Sequence, residues 1–372
     1  MKRILFLILA IALILTPSAL AADVSDADDA RPEDGIVTYD DGVITYDSLT
    51  RLVVDGNSHY REYAQEIDKL DTALKAMASQ HSDLMDGWAY SPAAFGSTII
   101  SLQKSIKHTQ EVFDDLSDSL PDLAAKLTFA AEKMYMAHFA LSLDLDIAQR
   151  KLAALESDLE LCRRKLVVGL DSKNAFDSLE RDVKNGRDSV KAAQKEIDNN
   201  LELLAKFLGL ELPITLGEMP DIDVSRIADR DLVSDRAAYR LAAPSVSEKE
   251  QILKAAKREF DHSAEAKVER FVYDTARSEY DKALADAERD FPDVYAKLYD
   301  AYEDYTELTF LADAEKEVSK MESRHSAGLV PENMLLTARR GYQEAVLRDR
   351  QLQISLWLKL MDYEFNLIHL DI

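Results

Sequence analysis

The sequence predicts an all-α, elongated protein. It reads as two long antiparallel helical hairpins in coiled-coil style, with a small N-terminal β-hairpin ahead of them. Three observations carry that prediction. Glycine and proline are scarce, 11 and 9 in 372 residues, and fall in a few clusters. The apolar positions on both sides of Gly169 recur at alternating steps of three and four, the mark of a coiled-coil seam. The same Gly-Leu punctuation, Gly169-Leu170, returns 159 residues later as Gly328-Leu329.

Taken in order, the chain opens with "MKRILFLILAIALILTPSALA": a basic start, an apolar run and a small-x-small ending at Ala19 and Ala21. This is the pattern of a secretory signal peptide over 1–21, and an exported, cell-envelope location follows from it. Residues 22–35 are acidic and lack apolar periodicity, which predicts a disordered leader. "IVTYDDGVITYD" alternates around Asp41-Gly42 and predicts a β-hairpin. From Leu49 onward the composition turns helical. Breakers fall at Trp88–Gly96, Pro121, the two Gly-Leu sites, Leu210–Pro220, Pro244 and Pro292. The resulting division is a first repeat over 36–209, a linker over 210–243 and a second repeat over 244–372.

The first seam runs through Leu141, Leu145, Ala148, Leu152, Leu155, Leu159, Cys162 and Leu166. The return seam runs through Phe176, Leu179, Val183, Gly186, Val190, Ala193 and Ile197, with Leu201, Leu204 and Leu208 beyond. Two such helices joined by a few residues must run antiparallel. Gly169 suits the left-handed turn that ends a helix, and Ser172 or Asp171 suits the next N-cap. The return helix, Lys173–Leu208, spans about 54 Å. In the second copy Pro331 falls near the first turn and Glu332 at the positive end of the helix dipole. Shifted by 159, Phe176, Leu179, Val183, Gly186, Leu201 and Leu208 become Leu335, Ala338, Tyr342, Ala345, Leu360 and Leu367. That shared pattern predicts a duplication. Val190 becomes Asp349, a break in the seam. Gly186 and Ala193 leave room for close backbone approach. Cys162 sits in a seam slot and reads as a small buried hydrophobe.

Charge and motif content exclude several classes. The formal net charge is −24, and becomes −26 once Lys2 and Arg3 leave with the signal. Such a chain is repelled by nucleic acid and by anionic lipid. One cysteine excludes an internal disulfide framework. The seven histidines form no metal-ligand pair, and "DIDVSRIADRDL" lacks the glycine and terminal glutamate of a calcium loop. Tyr295, Tyr299, Tyr302 and Tyr305 lie at helical spacing, as a packing face does. No nucleophile, base and orienting group recur together, so the reading is of a non-enzyme without cofactor or metal.

These features together resemble the TolC family of outer-membrane efflux proteins. The tips "LVVGLDS" and "SAGLVPE" are similar to the family's apolar-x-x-Gly-Leu-x-Ser turn. "LLAKFLGLELP" is similar to the ending of its return helix, "VITYDSLTRLVVDGNSHY" to its opening, and "LGEMPDIDVSRIADRDLVSDRAAYRLAA" to its link between halves. The resemblance covers roughly Asp47 to the C-terminus, and the second half lacks the terminal glycine.

The resemblance implies a homotrimeric tunnel whose tips meet a periplasmic adaptor, the membrane-fusion protein of an inner-membrane pump. The residues it places at that contact are Val168, Gly169, Leu170 and Ser172, with Ala327, Gly328, Leu329 and Pro331; Pro331 stands where the first tip has Ser172. Family members in an outer membrane insert two strands between the long helices of each half. Here Asp83–Ile100 is too short and proline-broken for two strands, and the matching stretch of the second half reads as helix, so no full transmembrane barrel is expected. A transport component and a non-conducting envelope scaffold both remain open at this stage.

Overall fold

A computed structural model describes residues 43–88, 92–262, 266–306 and 310–368. The expected signal peptide, the acidic leader and the first run of the β-hairpin lie outside these residues. The elements in order are β1 (Val43–Ile44), α1 (Leu49–Gly56), α2 (Ser58–Trp88), α3 (Pro92–Val167), α4 (Lys173–Phe207), β2 (Thr215–Leu216), α5 (Ser225–Ala228), α6 (Leu232–Ala242), α7 (Pro244–His262), α8 (Ala266–Thr306), α9 (Phe310–Ser326) and α10 (Glu332–Phe365). The fold is all-α in body, as the sequence predicts. Helix α3 alone has 76 residues and a length of about 114 Å.

The first run of the expected hairpin lies outside the described residues, and its second run is β1. It pairs in parallel with β2, Val43 opposite Thr215 and Ile44 opposite Leu216, and the Gly217 N–H donates to Ile44 O at 2.7 Å. Alternation revealed a strand but could not name its partner 172 residues away. One expectation is corrected: Pro121 and Pro292 do not end helices but lie inside α3 and α8. A proline removes one helical hydrogen bond, and packing on adjacent turns holds the helix through the gap. Ser119 is buried against the Tyr63 hydroxyl at 2.5 Å, and Phe291 is buried beside Pro292.

The core lies where the halves meet. One cluster joins Ile44, α1 (Leu49, Leu52, Val53), the middle of α3 (Leu127 to Met136), the end of α4 (Leu204, Leu208) and α10 (Trp357, Met361). A second joins α6, α8 and the other face of α10 through Tyr239, Phe291, Leu298, Leu356, Leu360 and Tyr363. Tyr295, Tyr302 and Tyr305 pack against it, so the tyrosine stripe is largely packing. The linker is strapped over this core: Tyr135 donates to Glu218 O and Trp357 Nε1 to Pro220 O, each at 2.9 Å. Two acids of the would-be calcium loop are engaged at helix starts, Asp231 as the N-cap of α6. Asp223 accepts from the Ser225 N–H and hydroxyl, and Asp231 from the Val233 N–H.

Helices α3 and α10 cross the core antiparallel. Phe129 stacks on Phe365 at 3.9 Å, Lys133 pairs with Asp362, and Leu143 packs with Leu347 and Ile354. Residue number rises along α3 as it falls along α10, so the α3/α4 and α9/α10 turns point away from the core in the same direction. At the opposite end, α2 and α3 form a coiled coil of their own. Ile67, Leu70, Leu74, Met77 and Leu84 face Ile99, Leu102, Ile106 and Phe113, all buried or half-buried. Only residues 89–91 separate α2 from α3, and only 263–265 separate α7 from α8. A barrel strand takes about 9–11 residues, so neither connection can supply two. No helix among the described residues is long and apolar enough to cross a membrane.

Candidate docking site at the hairpin tips

Each tip is built by one backbone device. At the end of α3 the Leu170 N–H donates to Lys165 O (2.8 Å) and the Gly169 N–H to Leu166 O (3.1 Å). At the end of α9 the Leu329 N–H donates to Arg324 O and the Gly328 N–H to His325 O, both at 2.9 Å. These paired bonds are the Schellman motif, which closes a helix with one left-handed residue. Gly169 has φ 73° and Gly328 φ 69°, values that cost a residue with a Cβ about 1–2 kcal/mol. A Cβ at either position would meet nothing within 4 Å. Backbone conformation, and not space, requires glycine there.

The N-cap of the next helix lies three residues after each glycine, and the two caps work by different means. Ser172 is the N-cap of α4, and its Oγ accepts from the Ala175 N–H at 3.1 Å. Pro331 is the N-cap of α10 with φ −74° and ψ 157°, and no side chain caps that helix. The second turn is held instead by His325 Nδ1 against Val330 O at 3.1 Å. Leu170 is 77% exposed and Leu329 74% exposed. Val167 and Val168 are exposed beside Leu170. All eight residues named from the sequence therefore lie at two turns at one end of the molecule.

The hairpins behind the tips share a register. Glu156 accepts from Arg187, and Glu322 from Arg339, each at 2.8 Å. The first pair lies 13 residues before and 18 after Gly169; the second lies 6 before and 11 after Gly328. Both offsets differ by five, so the facing helices align identically, and the ion pair sits one heptad further from the first tip. Along the first seam Cys162, Val183, Ile197 and Leu204 are buried, and a Cβ on Gly186 would lie 3.2 Å from a Leu152 methyl. Asn200 is also buried in this seam, a position the apolar pattern passed over.

Sequence reasoning missed two further features of the first tip. Val167 belongs to its exposed apolar surface. Asp171 is half-buried and accepts from the Ser172 N–H at 2.9 Å. Burial, and then the neighbouring Asp171, push the Cys162 thiol above its ordinary range. Neither feature has a sequence signature. Between α9 and α10 an open groove carries Arg348 5.1 Å above the Phe310 ring, but no nucleophile and base converge there. Among the described residues no group of three or more His, Cys, Asp or Glu side chains converges to hold a metal.

The overall outline is similar to solved channel structures. CusC, described in terms of transmembrane channel formation, matches with a TM-score of 0.48 at 12% identity, over 94% of this chain and 99% of that one. A membrane protein from Pseudomonas aeruginosa matches with a TM-score of 0.46 at 12% identity, over 92% and 99%. The CmeC outer membrane channel of Campylobacter jejuni matches with a TM-score of 0.43 at 9% identity, over 93% of each chain. Likenesses at this level carry no weight for function. No family model and no curated protein matches the chain.

Proposed function

We propose that this chain is a TolC-type component of an envelope efflux or secretion assembly. On this reading it is exported, assembles as a homotrimer whose helices line a tunnel segment, and meets the periplasmic adaptor of an inner-membrane pump through its tips. The supporting observation is the pair of hairpins. Two turns of one design and one register point the same way from a common core, and each lifts a leucine into solvent. A structural turn has no need of that exposure. Two in matched positions suit a partner surface.

The test is the double variant Leu170→Asp/Leu329→Asp. Both sites are exposed, so helicity and melting should stay within about 0.5 kcal/mol of the parent. Co-purification with the adaptor and export by cells should be lost. Normal binding and export in that variant would remove the tips as the contact.

A second reading, a non-conducting envelope scaffold, draws support from the three-residue connections at the far end, which leave no strands for a barrel between those helices. Light scattering separates the two. A trimer, alone or with adaptor, supports the tunnel; a monomer at every concentration with adaptor present supports the scaffold.

A further inference from the structure

The tips share a backbone but not a surface. From eight residues before each glycine to four after, the first tip carries Arg163, Arg164, Lys165 and Lys173 against Asp171 alone, a formal charge of +3. The same window of the second tip balances Lys320 and Arg324 against Glu322 and Glu332. Asp171, the one acid of that window, is half-buried and accepts from the Ser172 N–H. The four cations are exposed, with Arg164 bound to Glu160 of its own helix at 3.3 Å. Exposed aliphatic residues follow the same division: Leu161, Val167, Val168 and Leu170 in the first window, Leu329 alone in the second.

We infer that the first tip carries the charge-selective part of the partner contact, and that it takes a protein surface with carboxylates around an apolar centre. This rests on the reading that the tips face a partner. Exposed lysine and arginine interleaved along the tip with four exposed aliphatic side chains suit such a surface. The remainder of a chain with net charge −24 repels an acidic partner, which leaves the first tip as its landing place. An anionic lipid surface fits less well. A bilayer is an extended plane and would also confront the second tip, with its two carboxylates, and the acidic body behind it.

The experiment uses the full chain and two synthetic peptides of equal length. One surrounds a leucine-valine centre with glutamates, the other with lysines, and phosphatidylglycerol vesicles serve as the lipid arm. The glutamate peptide should bind at low salt, weaken as salt screens it, and outcompete the lysine peptide. Arg163→Gln/Arg164→Gln/Lys165→Gln should weaken it about tenfold and flatten the salt dependence, with circular dichroism unchanged. Leu329→Asp should change it less than about twofold. Equal losses from both tips, equal binding of both peptides, or binding to vesicles and not to the glutamate peptide would each overturn the inference. Its failure and that of the transport reading are separable. Retained peptide preference with export unaffected by Leu170→Asp/Leu329→Asp would leave the basic tip standing as a binding surface and remove the tips as the contact that export uses.

Discussion

The dipeptide Gly-Leu occurs three times in this chain and makes the same turn each time, twice at a tip and once at the base. At the base the Leu210 N–H donates to Ala205 O at 2.8 Å and the Gly209 N–H to Lys206 O at 3.2 Å, with Gly209 at φ 68°. The bonds and dihedrals match those of Gly169 and Gly328. The surroundings are opposite. Around the tip glycines there is open space, whereas Gly209 lies backbone to backbone against Gly56 at the end of α1. A Cβ on Gly209 would fall 2.2 Å from Gly56 O, and one on Gly56 would fall 1.9 Å from Leu208 O. Beside this crossing, buried Asn57 donates from Nδ2 to Phe207 O at 2.8 Å and accepts the Tyr60 N–H on Oδ1, so one side chain finishes α4 and starts α2. One local device thus serves to turn the chain in solvent and to lock it in the core. Which job it does depends on what lies opposite.

Identical substitutions at the two kinds of site isolate that difference. Gly169→Ala should cost about 1 kcal/mol, the left-handed penalty alone. Gly209→Ala should cost about 3 kcal/mol or more, because backbone must also move away from the new methyl. Urea titrations followed by far-UV circular dichroism would compare the losses, and hydrogen exchange would locate the second in α1 and the end of α4. Equal losses would mean that the Gly56–Gly209 crossing contributes nothing beyond the turn.

The same contrast explains what the sequence could and could not reveal. Seams, tips and their caps were legible because each depends on residues within a turn or two, or on a heptad that repeats. The base was not. Its glycine crossing joins residues 56 and 209, its strand pair joins 43 and 215, and its ion pairs join Arg226 and Arg230 to Glu364. No local pattern encodes partners that far apart. At the candidate site, the eight residues fall in two turns because each turn is a local Gly-Leu device. The charge difference between the tips was written in the sequence, but the exposure of Val167 beside it required the folded turn.

Titration offers a second way to separate base from tip. Glu132 lies on α3 between the Tyr46 hydroxyl and Glu364 of α10, and its carboxyl is pushed up to about 7. Burial is the main cause and Glu364 adds to it, while the Tyr46 hydrogen bond works the other way. The folded base therefore holds a proton that an unfolded chain releases near pH 4.5. Stability from this group is greatest below that value and falls as pH rises towards 7, by about 3 kcal/mol, then levels off. Glu132→Gln keeps a group able to bond Tyr46 and should flatten melting temperature across that window. Amide exchange at the base should follow the pH in the parent and not in the variant. A parent and variant with the same pH profile would place the titrating group elsewhere.

The smallest expected differences are between the tips themselves. Ser172→Ala removes a side-chain acceptor from the start of α4 and should cost about 1 kcal/mol. Pro331→Ala removes no acceptor; it frees a backbone angle already near the proline value, so its cost of about 0.5 kcal/mol arises in the unfolded chain. Two losses this close are hard to tell apart by melting, but their local signatures differ. The Ala175 N–H is bonded to the Ser172 hydroxyl and should exchange faster once that hydroxyl is gone. The Met334 N–H is bonded to the carbonyl of residue 331 at 3.1 Å, which an alanine supplies equally well, so its protection should hold. Faster exchange at Met334 in Pro331→Ala would show that the ring shapes the folded turn directly, and that the second tip is capped by conformation where the first is capped by a hydroxyl.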